Sequence, residues 1–316
     1  MNLRIGTRGS KLALAQSTWV KDKIEARHPH VHVTLTIIKT RGDKILDSPL
    51  SKIGGKGLFV KEIEDALLRK EVDIAVHSMK DVPADLPDGL ELAVFPERED
   101  PRDALVSLRY PSLEALPEGA SVGTGSLRRG AQLLHRRPDL ELVPLRGNVD
   151  TRLKKLEAGG LQAVILAAAG LKRLGLQQVI SFILPTETLL PAIGQGAIGL
   201  ELRQGDERTG ALLQFLDHEE TGLIVRAERA FLKELEGGCQ VPIAGLGRLD
   251  GEILILKGLV AELDGSRVIE DEIRGPKDRP EKIGVTLAKS LLASGAGSIL
   301  ARVYGTKGIL RDKADG

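Results

Sequence analysis

Short apolar runs and helical patterns alternate along the first two thirds of the chain. "NLRIG" leads through a Gly/Arg/Ser turn into "KLALAQSTWVKDKIEARH", and "VHVTLTIIKT" is a β-branched run of strand type. "GLFVKEIEDALLRKE" sets Leu58, Ile63, Ala66 and Leu67 at helical spacing, and "VDIAVHSM" after it reads as a buried strand. The same step recurs from "ASVGTG" into "SLRRGAQLLHRR", from "LELVPL" into "RGNVDTRLKKLEAG" and from "LQAVILAAA" into "GLKRLGL". Buried strands alternating with helices predict βα units and parallel sheets. From about residue 218 the pattern changes. "GRLDGEILILKGLVAELDGSRVIEDEIRG" shows strand-like runs broken by Asp-Gly turns, and "RPEKIGVTLAKSLLASGA" follows as a helix. That predicts an antiparallel meander with a helix, a separate α+β domain.

A length of 316 residues fits two or three domains, and 42% hydrophobic with 28% charged residues is ordinary for a globular chain. The formal net charge of +1 and 3% aromatic content argue against a nucleic-acid partner. "MNLRIGTRGS" lacks an apolar signal core, and no apolar run approaches the roughly 18 residues of a membrane span. The expected compartment is the cytoplasm, with no membrane partner. The single cysteine, Cys239 in "ELEGGCQVP", excludes an internal disulfide and a Cys-rich metal site. Taken alone, a lone cysteine is most often a buried inert thiol.

Ligands of open α/β sheets bind beyond the carboxyl ends of the strands. Arg8 and Ser10 follow the first strand. Ser78, Lys80 and Asp81 follow "VDIAV", and Thr124, Ser126, Arg128 and Arg129 follow "ASVGT". Arg146, Asn148 and Arg152 follow "LELVPL", and Arg173 follows "QAVILAAA". Cations, small hydroxyls and helix N-termini recurring at strand ends predict one polyanionic ligand in a cleft between two α/β domains. Asp81 is the one carboxylate in this basic set, suited to stabilising a cationic intermediate or to proton transfer. Residues 42–60 form a polar, Gly- and Lys-rich loop that reads equally as a lid or as passive chain. The "RGD" at 41–43 reads as a chance tripeptide.

"GQGAIG", Gly194 to Gly199, matches the dinucleotide pattern with Glu219 further on, but "PTETLLPAI" before it is not a strand. It is expected to be a hinge or close-packing segment. His28, His30 and His32 do not make a convincing metal site, no metal is expected elsewhere, and His77 reads as a packed histidine rather than a base.

"GTRGSKLALAQ", "VHSMKDVP", "GTGSLRR", "LRGNVDTRL", "ILAAAGLKRLG", "PAIGQGA" and "ERAFLKELEGGCQVP" occur in this order. Together they resemble the porphobilinogen deaminase (hydroxymethylbilane synthase) family. The resemblance implies a transferase of haem and tetrapyrrole biosynthesis. It joins four porphobilinogen molecules head to tail into hydroxymethylbilane, with loss of ammonia. It implies a dipyrromethane cofactor held by a thioether to Cys239. By the same resemblance Asp81 is catalytic, and Lys80, Ser10, Thr124, Ser126, Arg128, Arg129 and Asp81 bind the cofactor. Arg8, Arg146, Arg152, Arg173, Gln195 and Phe59 are implied on the substrate side, with Phe59 in the loop over the cleft. Two positions depart from the family pattern. Gly125 stands where a serine is common and would remove one hydroxyl contact. Asp150 adds a carboxylate, expected to turn to solvent.

The implied fold is two periplasmic-binding-protein-like α/β domains, 1–96 with 196–217 and 97–195. A third α+β domain, 218–316, carries the cysteine. A monomer is expected. The rival readings are a non-catalytic two-domain anion-binding protein, which would need neither Asp81 nor Cys239, and a dinucleotide-dependent enzyme built on "GQGAIG".

Overall fold

The computed structural model describes residues 1–44, 57–236 and 241–312. Cys239 and residues 45–56 of the predicted lid loop lie outside the described residues. Three sheets organise the rest. The first contains β1 (Asn2–Thr7), β2 (His32–Ile37), β3 (Ile74–Ser78), β4 (Leu90–Val94) and β10 (Ile198–Arg203), in the order β2-β1-β3-β10-β4. The second contains β5 (Asp103–Val106), β6 (Ser121–Gly123), β7 (Glu141–Val143), β8 (Ala163–Ala167) and β9 (Phe182–Ile183), in the order β7-β6-β8-β5-β9.

The expected parallel sheets are mixed instead. β10 runs antiparallel to β3 and β4, and β5 runs antiparallel to β8 and β9. The reason is the route of the chain. It passes from the first sheet to the second between β4 and β5 and returns between β9 and β10. Each arriving strand therefore enters at the carboxyl end of its antiparallel neighbour, Ile198 beside Ser78 and Asp103 beside Ala167. "GQGAIG" begins on the return crossing and its last two residues open β10, so it leads into a strand rather than following one. Gly196 has φ +88°, and a Cβ there would sit 2.3 Å from the Glu99 carbonyl oxygen. Positive φ and close backbone approach explain the glycine without a nucleotide.

Apolar alternation sets the cores. In the first sheet Leu3, Ile5, Ile74, Val76, Leu200 and Leu202 pack against Val20 and Ile24 of helix Lys11–Arg27. Leu105, Val122, Ala163 and Ile165 fill the corresponding place in the second, with Leu133 of helix Leu127–Arg136. The third sheet is the predicted meander, β11 (Ile243–Asp250), β12 (Ile253–Ala261) and β13 (Val268–Pro276). Helices Glu219–Glu234 and Pro280–Ala293 cover it. They approach so closely that a Cβ on Gly284 would meet the Ala227 carbonyl oxygen at 2.2 Å. A further helix, Ala296–Asp312, was not anticipated from the pattern.

Glu228 of helix Glu219–Glu234 joins the three parts. It is fully buried and ion-paired with Arg98 at 2.7 Å, and it accepts from the backbone N–H groups of Gly194 and Gly247. Both crossings and the third sheet thus meet on one carboxylate. No single helix among the described residues is long and apolar enough to cross a membrane.

Candidate active-site cleft

The carboxyl ends of β1 and β3 face those of β6 and β8 across a cleft. Serines cap the helix N-termini there: Ser10 Oγ accepts from Ala13 N at 3.2 Å, and Ser126 Oγ from Arg129 N at 3.4 Å. On the first-sheet side, Arg8, Ser10, Gln16, Phe59, Ser78 and Asp81 line one cavity. A second cavity shares Leu12, Gln16 and Ser78 and continues to Lys80, Arg173 and Gly196. The two form one groove from the end of β1 to the return crossing.

The predicted residues divide by how their charges are met. Arg8 is held by Asp43, with Nε–Oδ1 at 3.2 Å, and lies 4.2 Å over the Phe59 ring. Burial opposes ionisation of Asp43, but Arg8 and Thr40 outweigh it and hold the carboxyl below its usual range. The Asp of the "RGD" tripeptide therefore positions Arg8.

Arg128 and Arg129 reach inward to Asp103, the first residue of β5 and fully buried. Arg128 Nη1 bonds Oδ2 at 2.7 Å, and Arg129 Nη2 and Nε bond Oδ1 at 2.7 and 3.0 Å. Gln195 Nε2 donates to the same Oδ1 at 3.0 Å and to the Pro101 carbonyl at 2.7 Å. Burial alone would raise Asp103; the two guanidinium groups outweigh it and keep the carboxyl far below its usual range. Arg128 Nε is buried with no partner among the described residues, and so is Arg146 Nη1.

Lys80, Asp81, Arg129, Arg146 and Arg152 sit within one electrostatic neighbourhood. Burial pushes Lys80 down to about 8; Asp81 and Asp103 resist, and Arg129 and Arg152 add to the shift. Burial pushes Arg152 down to about 10, with Arg129 and Arg146 in the same sense and Asp81 against. Arg173 is pushed to about 10 by burial and donates to the Gly196 carbonyl at 2.7 Å. The buried Thr124 receives the Ser126 N–H on its hydroxyl at 3.2 Å, shaping the turn beneath the arginines. Asp81 and Asp103 are the carboxylates that act on this cluster of buried cations.

Both departures have a structural place. A Cβ on Gly125 would meet the Leu145 carbonyl oxygen at 2.6 Å, so the backbone comes too close for a side chain. Asp150 stays partly exposed to solvent, with 34% of its side chain accessible, and it also finds a partner. Its carboxylate pairs with Lys11 at 2.5 Å, because the N-termini of helices Lys11–Arg27 and Val149–Glu157 face each other across the cleft mouth. His77 is packed as expected, with Nε2 2.8 Å from Glu201 Oε2. Sequence reasoning missed Asp103, Asp43 and the acid group behind β3, Glu64 with Glu201. All three depend on distant pairing, and no local motif marks them. No group of three His, Cys, Asp or Glu suited to a metal occurs among the described residues.

Residues 3–211 match the family model described as porphobilinogen deaminase, dipyromethane cofactor binding domain, and residues 223–293 match its C-terminal domain. The chain therefore belongs to the porphobilinogen deaminase family of transferases, and the bulk of it is a dipyrromethane-binding domain. It is 58% identical to the porphobilinogen deaminase of Pelobacter propionicus over 96% of this chain and 97% of that one. It is 57% identical to those of Geobacter metallireducens and Geobacter sulfurreducens, over 96% of this chain and 95% of each. Among solved structures, a TRAP periplasmic solute-binding protein from Desulfovibrio salexigens aligns with 70% of this chain and 73% of its own, at 11% identity and a TM-score of 0.44. The strand orders above, not that likeness, define the fold.

Proposed function

We propose that this chain condenses porphobilinogen head to tail in the cleft, with Asp81 as the catalytic carboxylate and Cys239 as the thioether anchor of a dipyrromethane. The observation that carries this reading is the gathering of Lys80, Arg129, Arg146 and Arg152 about Asp81, with Asp103 the second carboxylate acting on them. Two buried guanidinium nitrogens, Arg128 Nε and Arg146 Nη1, have no partner among the described residues. Those orphaned donors fit a group bearing several acetate and propionate carboxylates. Ser10, Lys80, Thr124, Ser126, Arg128 and Arg129 would hold the cofactor. When bound, it would supply a terminal pyrrole whose free α-carbon is the nucleophile for the first incoming ring.

The chain's own residues do the rest. Arg8, Arg146, Arg152 and Arg173 bind substrate carboxylates, and Arg8 is pre-oriented by Asp43 and Phe59. Asp81 faces the pyrrole nitrogens and stabilises the cation formed on the substrate as its aminomethyl C–N bond breaks and ammonia departs. Gln195 supports the arginines through Asp103. The division into 1–96 with 196–217, 97–195 and 218–316 is supported by the return of β10 into the first sheet. The reading includes a monomer acting in the cytoplasm, which light scattering of the purified chain tests in its first part.

The test of the site is the intact mass of the full chain and of Cys239→Ser, before and after incubation with porphobilinogen. A mass excess of two linked pyrroles in the parent and none in the variant is expected. Absence of any adduct on the incubated parent would overturn the assignment of Cys239.

A further inference from the structure

Behind the cleft floor lies a second ionisable group that the condensation chemistry above does not use. Glu64, on helix Lys61–Leu68, is 5% exposed, and Glu201, on β10, is fully buried. His77 on β3 bonds Glu201 Oε2 and also lines the cavity that holds Asp81. Glu64 Oε1 and Glu201 Oε1 are both buried with no hydrogen-bond partner among the described residues. Two ionised carboxylates left so would repel in a poorly solvated interior. A single proton on the pair removes one of the two charges.

The surrounding charges do not supply that proton's equivalent. Lys61 and Asp65 act on Glu64 from its own helix in opposite senses. Arg229 of helix Glu219–Glu234 acts on Glu201, but its Nη2 is committed to the Ala84 carbonyl at 2.9 Å. Arg203 on β10 is held by the Leu67 and Val72 carbonyls and by Asp206, and Arg4 on β1 is held by Asp73. Glu62 Oε2 is a further buried oxygen with no partner among the described residues. Burial first, then the charge of Glu201, pushes Glu64 up to about 7, with His77 opposing.

Position gives the group its consequence. Glu64 lies one helical turn beyond Val60, and Phe59 under Arg8 comes just before that. His77 immediately precedes Ser78, and β3 then runs into the short turn Met79–Asp81.

We propose that Glu64, Glu201 and His77 form a proton-holding positioning unit for the condensation site. With one proton on the carboxyl pair, helix Lys61–Leu68 seats on β3 and β10 and fixes both Phe59 and the turn that presents Asp81. Loss of that proton loosens the helix and both cleft elements with it. Glu64 and His77 are positioning residues that act through Asp81 and Phe59. The inference rests on the reading of the cleft as the condensation site.

The test compares the full chain with Glu64→Gln and Glu201→Gln between pH 6 and 9, by porphobilinogen consumption and by amide hydrogen exchange. In the parent, kcat/KM is expected to fall roughly three- to tenfold as pH rises through neutrality. Protection of amides in 60–68 and 78–82 should fall with it, beyond the intrinsic rise of exchange with pH. Glu64→Gln flattens both limbs. Glu201→Gln moves them to lower pH, because Glu64 loses its anionic neighbour, and it serves as the second variant if Glu64→Gln does not fold. Limbs that persist unchanged in the variants overturn the proposal. A flattened exchange limb beside an unchanged activity limb reduces the cluster to a structural role and overturns it equally. A chain that consumes no porphobilinogen at any pH would count against the condensation reading, and the exchange data would still decide whether Glu64 governs the helix and the Asp81 turn.

Discussion

The two cleft-forming sheets share one strand order and treat buried acid in opposite ways. In each, the fourth strand is the one delivered by a crossing, and in each that strand carries a buried carboxyl. In the second sheet it is Asp103, the first residue of β5, level with the cleft. There it meets Arg128 and Arg129 and stays ionised, bracing two cations that also donate to the Leu190 and Ile165 carbonyls. In the first sheet it is Glu201, the fourth residue of β10, and it lies below the cleft floor against Glu64 and His77. The register along one inserted strand therefore decides whether an acid serves as a counter-ion or as a proton holder.

The largest expected effect tests which sheet carries the chemistry. Asp81→Ala should lower turnover roughly 10²–10⁴-fold, in the range of a lost acid–base or charge-stabilising group. Binding of the pyrrole chain, read by mass, should survive on the arginines. Equal loss of both would put the chemistry elsewhere. A protein that only bound anions would have no turnover to lose.

Next in size, Asp103→Ala leaves two buried guanidinium groups without their carboxylate and should cost roughly 3–5 kcal/mol in urea unfolding. The folded value of Asp103 is depressed. Its stabilisation is thus present above the unfolded carboxyl range and is lost as pH falls through the folded value, so the variant should show a weaker acid destabilisation than the parent.

Glu64→Gln has the reverse sign. The folded value of Glu64 lies near 7, above the ordinary value of 4.5. The stability tied to its proton is full below the ordinary value and is lost as pH rises through the folded one. Urea unfolding should find the variant more stable than the parent by roughly 1–3 kcal/mol at pH 8, and no more stable at pH 5.

The smallest effect is at the cleft mouth. Asp150→Ala removes an exposed pair with Lys11 and should change stability by less than about 1 kcal/mol. Its signature is salt: the difference in substrate KM between parent and variant should shrink at high ionic strength.

What the sequence makes legible is local. The βα rhythm, the Asp-Gly turns of the third sheet and the small residues and cations at strand ends all follow from neighbours in the chain. Ser10 and Ser126 are legible because an N-cap is a short-range device. Asp103 sits in "EREDPRDALV", which reads as a charged connector until β5 pairs with β8. Glu201 and Glu64 look like outward faces of a strand and a helix, and only the insertion of β10 between β3 and β4 turns both inward. The reversed direction of β5 and β10 is hidden for the same reason, since orientation within a sheet belongs to the path between sheets.

The insertion of β10 also sets a timetable. β4 is complete at Val94, yet the strand that joins it to β3 ends at Arg203. At ordinary rates of synthesis the gap between those residues lasts roughly 5–20 s. Throughout it the nascent first sheet has an open seam, with the edges of β3 and β4 unpaired and its share of the cleft unformed. The second sheet, contiguous in the chain, can close first. The first sheet is thus begun before the second and finished after it.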